Sequence, residues 1–213
     1  MEQSDWRKRY HVLWFLRHEG FSIDFSNIEI ERLPENVKKE VIRNFMGFVN
    51  TENTQDINGQ LANLKDIPQK MDLLVPHWVM DRLKESMKLY VEGMYFAVIM
   101  LCGSIAEFIV DGMFEAFKEK LPKEQRIKAT SVMKNLAKLN KNGVLNKEDY
   151  KKLRNVRKIR DDHTHLKVLR KDPIKLQKDA LDSILVLTTF FNEKNMALNY
   201  REYLKYLYEY SRS

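Results

Sequence analysis

The run from Leu153 to His165 reads Leu-Arg-Asn-Val-Arg-Lys-Ile-Arg-Asp-Asp-His-Thr-His and gathers three arginines, two aspartates and two of the chain's 5 histidines. Asp161 and His165 are four positions apart, so on a helix they share a face and the carboxylate can orient the imidazole. Arg157 lies one turn before Asp161 on that stripe. Arg160 follows Val156 by one turn and falls at the edge of the apolar stripe, where a cation needs a partner or a task. An imidazole that titrates near neutrality moves protons, and a guanidinium fork grips phosphoryl oxygens. Two other readings fit the same run. One is a solvated helix end laced with local ion pairs. The other is a metal site made of Asp161, His163 and His165, which helical geometry disfavours because His-x-His rings point about 200° apart.

These residues need elements to carry them. Asn146 reads as an N-cap for a helix bearing Tyr150, Leu153, Val156 and Ile159. Before it, Asn142-Gly143 is a turn signal, and Val132, Leu136 and Leu139 mark a less regular stretch. After it, Lys171-Asp172-Pro173 starts a long helix with Ile174, Leu181, Ile184, Leu185, Leu187 and Phe191. Upstream, one helix is expected from His77 to about Glu92, with Val79, Leu83, Met87 and Tyr90 on its inner face. Gly93 breaks it. A second runs from Tyr95 to about Glu119 and is apolar nearly all round as far as Val110, the pattern of a helix at the centre of a bundle. Glu107, among apolar neighbours in that helix, reads as an ion-pair partner buried beneath the arginine-rich run or as a surface acid, and the apolar neighbours favour the first.

The first 70 residues are less regular. Ser4 caps an expected helix running to about Glu19, residues 21–30 alternate as an extended segment, and Pro34 opens a helix carrying Val37, Val41 and Ile42. Thr51 to Gln69 reads as a connecting loop between an N-terminal helical attachment, 1–70, and a main bundle of four or five helices, 76–213. At the other end, Tyr203, Tyr206 and Tyr210 either pack on the bundle or offer rings to bases.

Composition narrows the class. The chain has 213 residues, of which 44% are hydrophobic and 31% charged, a foldable balance. Seven glycines and five prolines are too few for a turn-rich β fold, so the chain is expected to be all-α. A single cysteine, Cys102, excludes an intrachain disulfide and a cysteine-based zinc site. The longest apolar stretch, Tyr95 to Val110, falls short of the roughly 20 residues of a bilayer span and holds Glu107, so a cytoplasmic protein off the membrane is expected. The net charge is +7, but residues 118–178 alone carry 20 Lys/Arg against 7 Asp/Glu. A basic middle on an otherwise acidic chain points to an anionic partner, nucleic acid first, or to a solubilising lysine surface.

The motif segment resembles the signature of the HEPN superfamily, an arginine followed after four to six residues by a histidine, often with a polar residue directly after the arginine. Arg160, four intervening residues and His165 fit it, with Asp161 in the polar position. Arg157 and His163 fit a second register, but Lys158 follows that arginine. Two upstream stretches are also similar to the family: Tyr90 to Val98, with its helix break at Gly93, and the apolar helix carrying Glu107. The resemblance spans about Pro76 to Asn195, and the first 70 residues lie outside it. It implies a HEPN-like helical bundle and a metal-independent endoribonuclease that needs no cofactor. Arg160, His165 and Asp161 would be catalytic, and Arg157, His163 and Glu107 accessory. It further implies a homodimer with a composite site, an RNA substrate, and a setting in defence or beside an antitoxin. Members that have lost the catalytic residues are binding modules for protein or nucleic acid.

Overall fold

The computed structural model describes residues 15–18, 34–46, 57–68, 73–164, 172–192 and 200–205. The described helices form an all-α bundle: α1 (Glu35–Met46), α2 (Ile57–Asp66), α3 (His77–Val91), α4 (Tyr95–Phe117), α5 (Val132–Lys141), α6 (Lys147–Thr164) and α7 (Pro173–Phe191), with residues 200–205 helical again. A short antiparallel pair, β1 (Phe15–His18) and β2 (Leu73–Pro76), is added to it, in the register Phe15 opposite Pro76 and His18 opposite Leu73.

Local chemistry sets most boundaries. Pro34 precedes α1, as its fixed φ favours. Gly93 follows α3 with φ +77, a left-handed position that lets the chain turn at once into α4. Asn146 caps α6 reciprocally, its Oδ1 accepting from the Asp149 N–H at 2.7 Å while its Nδ2 donates to Asp149 Oδ2 at 2.7 Å. Asp172 caps α7 by accepting from the Ile174 N–H, with Pro173 in the first turn.

The long helix α4 lies at the centre and packs against α3, α5, α6 and α7. Val98, Ile99, Cys102, Ile105, Ile109, Met113 and Phe114 are buried. Tyr95–Lys120 is apolar and long enough by composition to cross a membrane, but half of that apolar window is buried in the bundle. Its all-round apolar pattern does not become all-round burial: Phe96 stays 50% exposed and Phe108 47%. Four neighbours cover most of the cylinder and leave one sector open.

Two expectations are corrected. The connecting loop expected over Thr51–Gln69 contains α2, whose Leu61 and Leu64 join the same core as the later helices. Buried Asn63 fixes it there by donating to the carbonyl oxygen of Tyr90 at 3.1 Å, while Gln177 of α7 donates to Asn63 Oδ1 at 2.9 Å. The helix expected up to Glu19 is a strand at Phe15–His18, because β2, with Leu73 and Val75 buried, supplies backbone partners that no local pattern announces. The rest of that expected helix, the extended segment 21–30, and Tyr206 and Tyr210 lie outside the described residues. Tyr203 is fully buried beside Tyr200, so it packs on the bundle and offers no ring to a base.

Candidate functional site

Helix α6 buries Leu153, Val156, Ile159 and His163 along one stripe and aims its arginines to one side of it, toward α4. Contact there is close because α4 has no side chain at Gly103. A Cβ at that position would stand 2.9 Å from Arg160 Cβ and 2.9 Å from Cγ, so the stem of Arg160 lies directly over the glycine. The guanidinium then reaches Glu107, one turn further along α4.

Four side chains form a network at this seam. Arg160 Nη1 donates to Glu107 Oε1, a contact that joins α6 to α4. Arg157 Nη1 lies 2.6 Å from the same Glu107 oxygen, and Arg157 Nη2 lies 3.0 Å from Asp161 Oδ1. The partner expected for the edge arginine is therefore present, and it is Glu107. The arginine side chains are 20% and 22% exposed and Glu107 25%, so the network sits at a rim that solutes can touch. Arg154 and Lys158 stand exposed on the neighbouring surface of α6.

His163 does not join this network. Its side chain is fully buried, and Nε2 lies 2.7 Å from Asp179 Oδ2 on α7. Of the second register, Arg157 therefore lies in the network and His163 apart from it, its imidazole facing the core of the bundle. It continues the apolar stripe seven residues after Val156, the spacing that brings a side chain back to one helix face. The same divergence separates the candidate metal ligands, since Asp161 turns to Arg157 while His163 turns to Asp179. Among the described residues no group of three or more such side chains is placed to hold a metal ion. His165 lies outside the described residues, one position after the end of α6.

Reading the sequence for chemistry did not find Gly103 or Asp179. Gly103 is a small residue in an apolar helix, and only its position one turn before Glu107 marks it. Asp179 lies three residues after Leu176 and four before Ser183, at the edge of the buried stripe of α7, which is the signal that identified Arg160 on α6. Cys102, next to Gly103, is fully buried, and burial pushes its thiol up to about 12, so it stays protonated and unreactive at neutral pH.

No family model matches the chain, and no curated protein and no solved structure shows recognisable similarity to it.

Proposed function

We propose that this chain is a metal-independent endoribonuclease of HEPN type, working as a homodimer. The observation that carries the reading is the anchored arginine pair. Arg160, at the motif position, is held at the α4–α6 seam by Glu107 of the apolar helix, with Asp161 beside it and part of the network open to solvent. A guanidinium so fixed can hold the oxygens of a phosphodiester and offset the charge that grows on them in the transition state.

The reaction is an internal transfer. His165 takes the proton of the RNA 2′-hydroxyl, the 2′-oxygen bonds to phosphorus, and the bond from phosphorus to the 5′-oxygen breaks. A second imidazole returns a proton to that 5′-oxygen, leaving a 2′,3′-cyclic phosphate and a 5′-hydroxyl. Two-fold pairing of protomers supplies the second imidazole and makes the site composite. Asp161 orients the imidazole while it also braces Arg157. No cofactor and no metal enters this scheme. The setting is cytoplasmic, in antiviral defence or as a toxin restrained by an antitoxin, with no membrane partner.

One observation favours a second reading, a non-catalytic HEPN-like module that binds protein or nucleic acid. The heads of Arg157 and Arg160 are already matched in charge by Glu107 and Asp161, as in a purely structural network. RNA cleavage by the purified protein in excess chelator separates the two. The ribonuclease reading expects cleavage that is abolished in His165→Ala and in Arg160→Ala while both variants stay folded. Full activity in His165→Ala, or none in the native chain, overturns it.

A further inference from the structure

Two guanidinium groups from successive turns of α6 converge on one oxygen atom. Arg160 Nη1 donates to Glu107 Oε1, and Arg157 Nη1 approaches that same atom to 2.6 Å. Two cationic forks aimed at a single oxygen form an arrangement suited to an oxyanion. The donors there outnumber the acceptors. Nε of both arginines and Nη1 of Arg157 are buried without an aligned hydrogen-bond acceptor among the described residues. Arg157 Nη1 is thus close to Glu107 in distance without the angle of a hydrogen bond. Buried donors left in this state cost free energy, and a group with more oxygens than one carboxylate edge can relieve them.

The charges decide how such a group would enter. Arg157 and Arg160 are balanced by Glu107 and Asp161 when the network is closed. A phosphate added to it would bring surplus negative charge against Glu107, so it binds best where Glu107 has left. Asp161 holds Arg157 from the far side at 3.0 Å and does not occupy the point of convergence. Glu107, one-quarter exposed on the rim, can swing toward water.

We propose that Arg157 and Arg160 of a single protomer form an oxyanion seat in which the Glu107 carboxylate is the resident occupant, and that a phosphodiester of RNA binds by displacing it. Glu107 then has two roles. It holds the two guanidinium groups together while the seat is empty, and it sets anion affinity by competing for them. The inference rests on the ribonuclease reading for RNA as the source of the phosphate. The seat itself does not depend on cleavage.

Titration calorimetry on the whole protein tests it, at constant ionic strength set with chloride, with inorganic phosphate and a short oligouridylate as the probes. Glu107→Gln keeps the shape and removes the competing charge, so both probes should bind about tenfold more tightly than to the native chain, the loss of one charge-assisted contact in the closed state. That gain should vanish when Arg157→Gln and Arg160→Gln are added. Glu107→Asp, which keeps the charge but shortens its reach, should give a smaller gain, and it decides the matter if the Gln variant does not fold. A folded Gln variant that binds no tighter than the native chain overturns the proposal, as does a gain that survives loss of both arginines. A gain for phosphate without one for the oligonucleotide overturns RNA as the occupant. Tighter binding of both probes by a protein that cleaves no RNA upholds the seat and removes the ribonuclease reading.

Discussion

His163 closes the buried stripe of α6, and its contacts give it a different task from the arginines three and six positions before it. His163 Nε2 is hydrogen-bonded to the Asp179 carboxylate, while Nδ1 is buried without a hydrogen-bond partner among the described residues. His163→Ala opens a cavity and strands Asp179, so it should cost about 2–4 kcal/mol of folding stability in urea denaturation. Gln, whose Nε2 reaches to about the same place, should recover part of that loss. A stability change near zero for Ala would show that the pair does not tie α6 to α7. Asp149 makes a separate prediction about pH. Burial raises its carboxyl above the ordinary 3.8, with the Lys152 charge and the Asn146 hydrogen bond pulling it back only in part. The folded chain therefore holds this proton more tightly than the unfolded chain does. As pH climbs from below 3.8 through the raised value, the unfolded state releases the proton first, and the stability contributed by Asp149 falls across that interval. Asp149→Asn has no such proton, so its urea midpoint relative to the native chain should rise as pH passes through that interval. A difference that stays flat with pH would refute the assignment.

Among the elements, the seam between α4 and α6 is set by an absence of side chain. Gly103→Ala places a methyl 2.9 Å from Arg160 Cβ and Cγ, where the first atoms of the stem have little room to give. It should destabilise the chain by about 1–3 kcal/mol through overpacking and displace the Arg160 guanidinium. Thermal melting reads the first effect and phosphate titration the second; an unchanged melt with native anion affinity would mean that the helices simply separate at no cost. The elements that were legible in the sequence carry both a stripe and a terminal signal: α3 with Gly93, α6 with Asn146, α7 with Asp172-Pro173. Helix α2 has the stripe Ile57, Leu61 and Leu64, but Asn58, Gly59 and Asn63 obscure it. Asn63 is inside for a reason no local pattern carries, since its amide serves the carbonyl end of α3 and Gln177 of α7. Strand β1 was illegible because Phe15 and Leu16 satisfy helical spacing equally well, and the choice is made by β2, far along the chain. In the site, Arg160 was legible because a cation at the edge of an apolar stripe must be paired. Glu107 was legible as an ion-pair candidate because it is the one charge between Tyr95 and Val110, but its pairing with Arg160 is shown by the packing of α6 on α4. The sharing of one oxygen with Arg157 is a product of tertiary packing alone.

For the molecule as a whole, the proposed reaction poses a geometric problem that one copy of α6 does not solve. Residues five apart on an ideal helix differ in direction by about 140°, so an arginine and a histidine at this motif spacing would not stand side by side on one helix. Unwinding of the last turn would bring them together, yet α6 remains helical through Thr164, and the Thr164 hydroxyl closes that turn by donating to the Asp161 carbonyl oxygen. The turn that carries Arg160 to Thr164 therefore contributes no rearrangement. The two-fold axis of the proposed dimer would supply one, because it presents the same patch twice and would let the arginine of one copy face the histidine of the other. A site made in this way exists only in the dimer, so ribonuclease activity should depend on association. Specific activity, measured in chelator at decreasing protein concentration, should fall as sedimentation shows the dimer giving way to monomer. It should return when the diluted protein is concentrated again, which separates dissociation from loss to surfaces or unfolding. Arg160→Ala or His165→Ala should remain inactive at every concentration. A sample that sediments as monomer and retains full specific activity would overturn the composite site, and the flexible stem of Arg160 would then have to span the helix end within one chain.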